Sequence, residues 1–586
     1  MASSRLNQLA DHLLASPRQD TTPSNHESPY KVTEKPLGST RHLRIVSIGA
    51  GMSGINMIRS LRLHLTDYEH TVYEKNPEVG GTWYENRYPG CKCDVPSHNY
   101  QFSWRHNPRW SSFFSPASEI QAYLRRVCEE EQMENAIKTE HEVMRAEWDD
   151  REGIWELTVR NLQTGLVFGD KCHFLLDSCG ILNHWKWPQI SGLHDFKGDL
   201  VHSANWPENF EYTGKTVALI GNGSSGIQIL PEIQKHARNV VHFVRSPSWI
   251  VPSRLQLLAQ GGGDGILSEI EMNDDETFTT AQIHKFESDP AFYRKFVKAT
   301  EEVVNGNFPL VLKDTEFAAT MQQKATEYMT EALEGNKHLC EALIPKFHLG
   351  CRRLTPGVGY LEAVKQPNVR VVTSPIVKVV SDGFEISSGE VIKVDAIICA
   401  TGFDVSFRPR FPIIGHQGNL QDLWTREVPK SYMSCAIPGF PNYFNFLGPN
   451  APIGHGSVFT IAEHIAKYLT RIIKKCQTEN IKAITPNKAA VEQLFEHIQT
   501  FMPRTAWSSN GCVSWFKNGT SDGPVTALHP GSRIHFLHML ETFRGEDWEY
   551  TYIGGQNRFQ YLGNGFSTKE GGGEDSTWYL DEPDKL

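Results

Sequence analysis

No run in this 586-residue chain approaches the about 18–20 consecutive apolar residues of a membrane-spanning helix. Cysteine is scarce and odd in number, 11 in all, which argues against a disulfide framework and for a reducing compartment. Positive charge is outnumbered. Lys and Arg total 58 against 68 Asp and Glu, a formal net charge of −10, so the basic footprint of a nucleic-acid binder is missing. The N-terminal stretch is polar, without the apolar core of a secretory signal. Asp584-Lys585-Leu586 is only a partial match to a peroxisomal Ser-Lys-Leu ending, and a cytoplasmic location is the expectation. Cys91-x-Cys93 has no further Cys or His cluster to complete a tetrahedral metal site, so no metal is expected. No Ser-His-Asp arrangement is suggested either.

What remains is a globular composition, 39% hydrophobic, with core enough for two to four domains at roughly 150 residues each. Residues 1–40 are rich in Ser, Pro, Thr and charge and read as a flexible arm, with Leu6–Leu14 able to form a turn or two of amphipathic helix. At Arg44-Ile45-Val46-Ser47-Ile48 a β-branched strand begins. It runs into Gly49-Ala50-Gly51-Met52-Ser53-Gly54, and Ile55, Ile58, Leu61 and Leu65 follow at helical spacing. A second strand, Thr71-Val72-Tyr73, ends at Glu74, 20 residues after Gly54. Ser115-Pro116 reads as N-cap and first residue of a helix. Residues 143–176 show period two and read as an antiparallel meander, and Phe174–Gly180 reads as a buried strand ending in a glycine.

The first pattern then repeats. Lys215–Ile220 leads into Gly221-Asn222-Gly223-Ser224-Ser225-Gly226, a helix follows, and the next strand closes on Arg245-Ser246. Residues 255–345 are mostly helical and polar, with a flexible Gly261–Gly263 stretch, and read as an insertion. Strands resume over 369–400, and Gly571–Gly573 reads as part of a flexible tail.

Each glycine turn suits a dinucleotide, because glycine lets backbone N–H groups approach a pyrophosphate at the helix N-terminus. Glu74 can accept both ribose hydroxyls, as FAD requires. An acid at the second site would repel a 2′-phosphate, whereas Arg245 can bind one, so the second nucleotide is expected to be NADPH. The fold class is therefore α/β, with two Rossmann-like dinucleotide-binding domains and a helical insertion. The expected domains are FAD-binding at 41–208 and 397–586, with NADP-binding at 209–396 between them.

Between the two turns lies a third pattern: Phe196, Gly198, His202, Trp206 and Pro207 at the spacing F-x-G-x-x-x-H-x-x-x-W-P. Here the sequence resembles the type I flavin-dependent Baeyer–Villiger monooxygenases, whose fingerprint this is. A second family signature matches at Gly80, Gly81, Trp83, Tyr88, Pro89, Gly90 and Asp94. Relatives that oxygenate nitrogen or sulfur end the fingerprint in Tyr or Phe, so Trp206 favours ketone oxygenation over that alternative. The wording of Gly350–Gly357 and Pro441–Asn450 is similar to the fungal secondary-metabolism branch, which implies a bulky or polycyclic ketone.

The resemblance also implies roles. Oxygen activated at reduced flavin attacks a ketone, and the tetrahedral adduct bears an oxyanion that a fixed cation can stabilise. Arg353 matches the family's catalytic arginine and Asp94 the acid that orients it. Arg352 stands where the family usually has a lysine on the NADP phosphate. Thr82, Trp83 and Tyr100 match flavin-contacting positions, Val143 an adenine contact, and Trp515 the residue that holds the nicotinamide ribose. His202 is expected to serve conformation and binding, not proton transfer. The expected partners are a ketone and O₂, with no nucleic acid or membrane, in a monomer or weak homo-oligomer.

Overall fold

The computed structural model describes residues 30–251, 265–273, 275–554, 557–570 and 575–581. The expectations for Leu6–Leu14, Gly261–Gly263, Gly571–Gly573 and Asp584–Leu586 lie outside them. Two compact units emerge, residues 40–551 and a smaller one made from both ends of the chain.

The large unit holds two parallel five-stranded sheets. In the first, the order is Tyr443–Asn445, Phe174–Asp177, Leu43–Ile48, Tyr68–Tyr73, Ile137–Lys138. In the second it is Val369–Val372, Asn239–Phe243, Thr216–Ile220, Ala396–Cys399, Asp199–His202. Central strands of such sheets are covered on both faces and read as continuous apolar runs, as Ala396–Cys399, Thr216–Ile220 and Phe174–Asp177 do. Both glycine turns lie at the carboxyl ends of central strands and feed helices Met52–His64 and Ser224–Gln234. Ligands bind at such a switch point in open α/β sheets. The meander predicted over 143–176 forms strands His141–Asp149, Ile154–Asn161 and Val167–Cys172.

The insertion is helical as expected. Helices Thr280–Ser288, Pro290–Gly306, Glu316–Ala332 and Lys337–Leu343 are each capped by the side chain before them: Thr279, Asp289, Thr315 and Asn336. It packs on the loop after the second signature through an aromatic cluster, in which Phe278, Phe286, Tyr293 and Phe296 enclose His98.

Two chain crossings join the sheets, and they are bonded to each other. Trp185 bridges Phe403 across an antiparallel contact, and the Asp404 N–H donates to the His184 carbonyl at 2.6 Å. At the end of this pairing Thr401 Oγ1 lies 3.3 Å from His202 Nε2.

Three local expectations are corrected. Ser115 does not cap its helix. Pro116 occupies the cap position, the helix starts at Ala117, and the Ser115 hydroxyl donates to Ser97 Oγ at 2.6 Å in a fully buried site. The arm is not free over its last ten residues, because the Leu37 N–H donates to Phe566 and its carbonyl accepts from Thr568 within the small unit. Finally, Cys351 and Cys512 are joined in a disulfide across 161 residues, with Cα atoms 6.6 Å apart. The other nine cysteines are free, so the composition argument holds against a framework and misses a single pair.

Candidate active site

One cavity of about 430 Å³ runs from the first glycine turn towards the second. Gly49, Gly51, Ser53, Glu74, Gly81, Thr82, Trp83, Asp94, Tyr100, Val143, Ser224, Ser225, Arg353 and Trp515 all line it. These residues come from five separate stretches of sequence. Gly54, Gly221, Gly223, Gly226, Arg245, Ser246 and Arg352 do not line it, nor does any fingerprint residue.

The glycines divide into two kinds. Gly49 and Gly221 have φ of +100° and +114°, which turns the chain sharply after the strand. A Cβ on Gly54 would stand 2.1 Å from the Gly49 carbonyl oxygen, and one on Gly226 at 2.1 Å from that of Gly221, so both serve close helix–strand packing. A Cβ on Gly223 would meet nothing within 4 Å, and one on Gly51 would meet only the backbone of Gly81, at 3.6 Å. The middle glycines therefore face open space. Neither helix has a side-chain cap at its start, so the first-turn N–H groups remain available to an anion.

Glu74 is 4% exposed and is oriented by two backbone donors, Ala50 N–H to Oε2 at 2.8 Å and Asn76 N–H to Oε1 at 2.9 Å. Burial pushes its carboxyl up, against the pull of those donors. A buried acid held at the strand end beside an open glycine cradle is the arrangement an adenosine ribose needs. The residues present fit an adenine dinucleotide.

At the second site Arg352 donates to the carbonyls of Val513 (3.0 Å) and Pro247 (3.1 Å), next to Arg245 and Ser246. Burial, and then the charge of Arg245, lower its pKa. Arg245 is exposed and has no acidic partner among the described residues. Two neighbouring guanidiniums with no anion between them fit a 2′-phosphate.

Arg353 sits where the two halves meet. Its Nε and Nη2 donate to Asp94 Oδ2 and Oδ1 at 2.5 and 2.9 Å, and its Nη1 to the Ile453 carbonyl at 2.7 Å. Burial acts to lower its pKa, but the Asp94 carboxylate outweighs this and holds it above the ordinary arginine value. Such a cation stays charged at any working pH. Trp83 meets Tyr100 edge-on at 5.4 Å beside this pair.

The fingerprint lies apart from the cavity and organises the crossings. His202 is 1% exposed, stacks on Trp185 at 4.7 Å, and accepts from the Ala204 N–H at its Nδ1. Burial lowers its pKa to about 4, so the ring is neutral near pH 7. A Cβ on Gly198 would stand 2.3 Å from the Asp395 carbonyl, while Phe196 is buried against the second sheet. Trp206 packs edge-on against Phe210, and Pro207 accepts a turn hydrogen bond from the Phe210 N–H.

Some cavity residues were not picked out from sequence. Gln228, on the second helix, accepts from the Tyr88 hydroxyl at 2.9 Å and donates to the Lys92 carbonyl at 2.9 Å. A Cβ on Gly90 would lie 2.5 Å from the Gln228 carbonyl. The Tyr-Pro-Gly of the second signature is thus a contact between the two halves, and the glycine of that motif was the available signal. The Ile453 carbonyl carried no signal at all, since a backbone acceptor is independent of residue type. Arg410 also lines the cavity, as an exposed cation on the crossing from the second sheet.

Known proteins share this fold. The family profile of the NAD(P)-binding Rossmann-like domain matches residues 48–117. The FAD-binding monooxygenase stcW of Emericella nidulans is 36% identical over 559 residues, covering 93% of this chain and 89% of its own. A Baeyer–Villiger monooxygenase of Pseudomonas aeruginosa is 30% identical, covering 91% and 96%. The solved structure of cyclohexanone monooxygenase from Rhodococcus sp. Phi1 bound to NADP⁺ superimposes with a TM-score of 0.72 at 24% identity, over 87% of this chain and 99% of that one. An oxidised steroid monooxygenase bound to NADP gives 0.69 at 26%, over 87% and 99%. At 30–36% identity over nine-tenths of its length to these monooxygenases, this chain belongs to the FAD-binding, NADPH-using monooxygenases of the Baeyer–Villiger type.

Proposed function

We propose that the protein inserts one atom of O₂ beside the carbonyl of a bulky or polycyclic ketone, giving an ester or lactone. The balanced reaction is ketone + NADPH + O₂ + H⁺ → ester or lactone + NADP⁺ + H₂O. The observation that carries this reading is the Arg353–Asp94 pair inside the dinucleotide cavity. FAD, when bound, supplies the reductive activation of O₂ at the expense of NADPH.

The chain's own residues do the rest. Glu74 accepts the ribose hydroxyls of FAD, with Ser53, Thr82, Trp83, Tyr100 and Val143 as its further contacts. Arg245, Ser246 and Arg352 hold the NADP phosphate, and Trp515 the nicotinamide ribose. Arg353 directs its guanidinium at the oxyanion that forms when the ketone carbonyl is attacked, and Asp94 keeps it aimed. Preorganised charge of this kind needs no reorganisation as the transition state forms.

The bulky substrate class rests on likeness to the fungal enzymes and to the steroid monooxygenase, whose name specifies a fused-ring ligand. We assign the protein to secondary metabolism in the cytosol, as a monomer or weak homo-oligomer. The domains are FAD-binding at 41–208 with 397–586, and NADP-binding at 209–396.

The test is turnover of a ketone panel under ¹⁸O₂ with product mass spectrometry. One labelled oxygen in an ester from a fused-ring ketone is expected. Turnover confined to small cyclic or aliphatic ketones would remove the substrate class, and label found only in sulfoxides or N-oxides would remove the reaction.

A further inference from the structure

The disulfide stands at a place where nothing assigned to the reaction requires one. Cys351 immediately precedes the Arg352-Arg353 pair, and Cys512 lies three residues before Trp515, which lines the cavity with Arg353. Both cysteines are fully buried. The same two segments are joined once more by the hydrogen bond from Arg352 Nε to the Val513 carbonyl. Around them the C-terminal segment is internally braced. Ser514 caps the single turn Trp515–Lys517, and Lys517 Nζ donates to the Ser509 carbonyl at 3.0 Å. The 509–517 segment is thus tied within itself, and the disulfide is its covalent link to the arginine loop.

We infer that the Cys351–Cys512 bond is a covalent clasp that positions Arg352 and Trp515 together for the nicotinamide nucleotide. The inference rests on the roles proposed above for those two residues. Their α-carbons belong to stretches more than 150 residues apart, and a nucleotide binding between them has to order both. A bond that holds them in register beforehand removes that ordering cost from binding. Opening the clasp leaves Arg352 attached to the segment through the Val513 carbonyl alone, among the contacts of the described residues.

Formation is balanced as two thiols giving up two electrons and two protons to a two-electron oxidant. Hydrogen peroxide is one, and becomes two molecules of water. Reduction by a dithiol reverses it. Because both cysteines are buried, reduction requires the segment to lift, so a bound nucleotide should protect the bond. Linkage demands the same in reverse: if the closed clasp favours the nucleotide, the nucleotide favours the closed clasp.

The experiment uses FAD-loaded full-length protein. Peptide mapping without reductant, after hydrogen peroxide treatment, should recover a 351–512 cross-link that dithiothreitol abolishes. Reduction should raise the Kd for NADP⁺, read by calorimetry, roughly fivefold or more, a modest coupling between sites. Reoxidation should restore it, while FAD content and the KM for ketone stay unchanged. Saturating NADP⁺ should slow the reduction itself. Cys512→Ser should behave as the reduced protein does, and if that variant fails to fold, the reduced wild type gives the answer. Failure to find the cross-link, or equal NADP⁺ affinity in both redox states, overturns the clasp. Trp515→Ala in the oxidised protein separates the two layers of argument. If it weakens NADP⁺ and reduction does not, the nucleotide site stands and the clasp falls. If it leaves NADP⁺ affinity unchanged, the proposed site falls and the clasp with it.

Discussion

Arg353 and Asp94 lie 259 residues apart in sequence and meet through two nearly parallel hydrogen bonds, Nε to Oδ2 and Nη2 to Oδ1. This bidentate geometry fixes the plane of the guanidinium as well as its position. The third direction, Nη1, is taken by the Ile453 carbonyl, so the cation is held on three sides.

Replacing Arg353 by Ala should lower kcat for ketone oxygenation about 10²–10³-fold, the usual cost of removing one preorganised oxyanion donor. Sulfide oxidation forms no oxyanion and should fall much less. Parallel assays of one ketone and one sulfide check this, and equal losses would count against the role. Lys keeps the charge but cannot make the paired bonds, so Arg353→Lys should recover only part of the activity.

Nucleotide preference should follow Arg245. Its loss in Arg245→Ala removes a charged contact to the 2′-phosphate, worth about 1.5–3 kcal/mol, and should raise the KM for NADPH roughly 10–100-fold. The KM for NADH, which has no such phosphate, should hardly move. Steady-state kinetics with both nucleotides decides it.

Two glycines three residues apart should respond oppositely to a single methyl group. In Gly226→Ala the new Cβ meets the Gly221 carbonyl oxygen at 2.1 Å, and overpacking of this kind costs about 1–3 kcal/mol of stability. In Gly223→Ala it meets nothing within 4 Å, so the melting temperature should hold while NADP⁺ binding weakens. Thermal melts and calorimetry on both variants test the pair.

The pH dependence of stability carries a signature of His202. Its folded pKa is about 4 against about 6.5 in an unfolded chain, so between those values the unfolded state binds more protons. Stability from this residue is present above pH 6.5 and is lost as pH falls towards 4. Asn at this position can still accept from the Ala204 N–H but cannot titrate there. The gap between the melting temperatures of wild type and His202→Asn should therefore narrow as pH is lowered through this window. A constant gap would mean that the ring is not held neutral by its burial.

The nucleotide-binding folds were legible because their signals are local. A strand, a glycine turn and a helix occupy about 20 consecutive residues, and the turn needs glycine for steric reasons visible in the sequence alone. The helical insertion was legible for the same reason, from its polar helical periodicity. Asp94 and Arg353 are another matter, since nothing within either stretch points to the other and only the family likeness joined them. The Cys351–Cys512 pair was missed because 11 cysteines carry no pairing information until the chain is folded. Ser115 followed by Pro has the composition of a helix start, yet a buried hydroxyl partner, Ser97, competes for the same oxygen. The role of Tyr88-Pro89-Gly90 as a contact on Gln228 needed both sheets in place.

The two crossings between the sheets do more than connect them. One strand passing between two bodies is a swivel that leaves rotation free about every axis. Here a second strand runs beside the first, antiparallel, bonded at Trp185–Phe403 and at His184–Asp404. Two adjacent, bonded attachment lines resist twisting of one sheet against the other, which a single strand cannot do. His202 and Thr401 stand at one end of that paired joint, which gives the neutral, stacked histidine a mechanical place in the molecule outside the cavity lining.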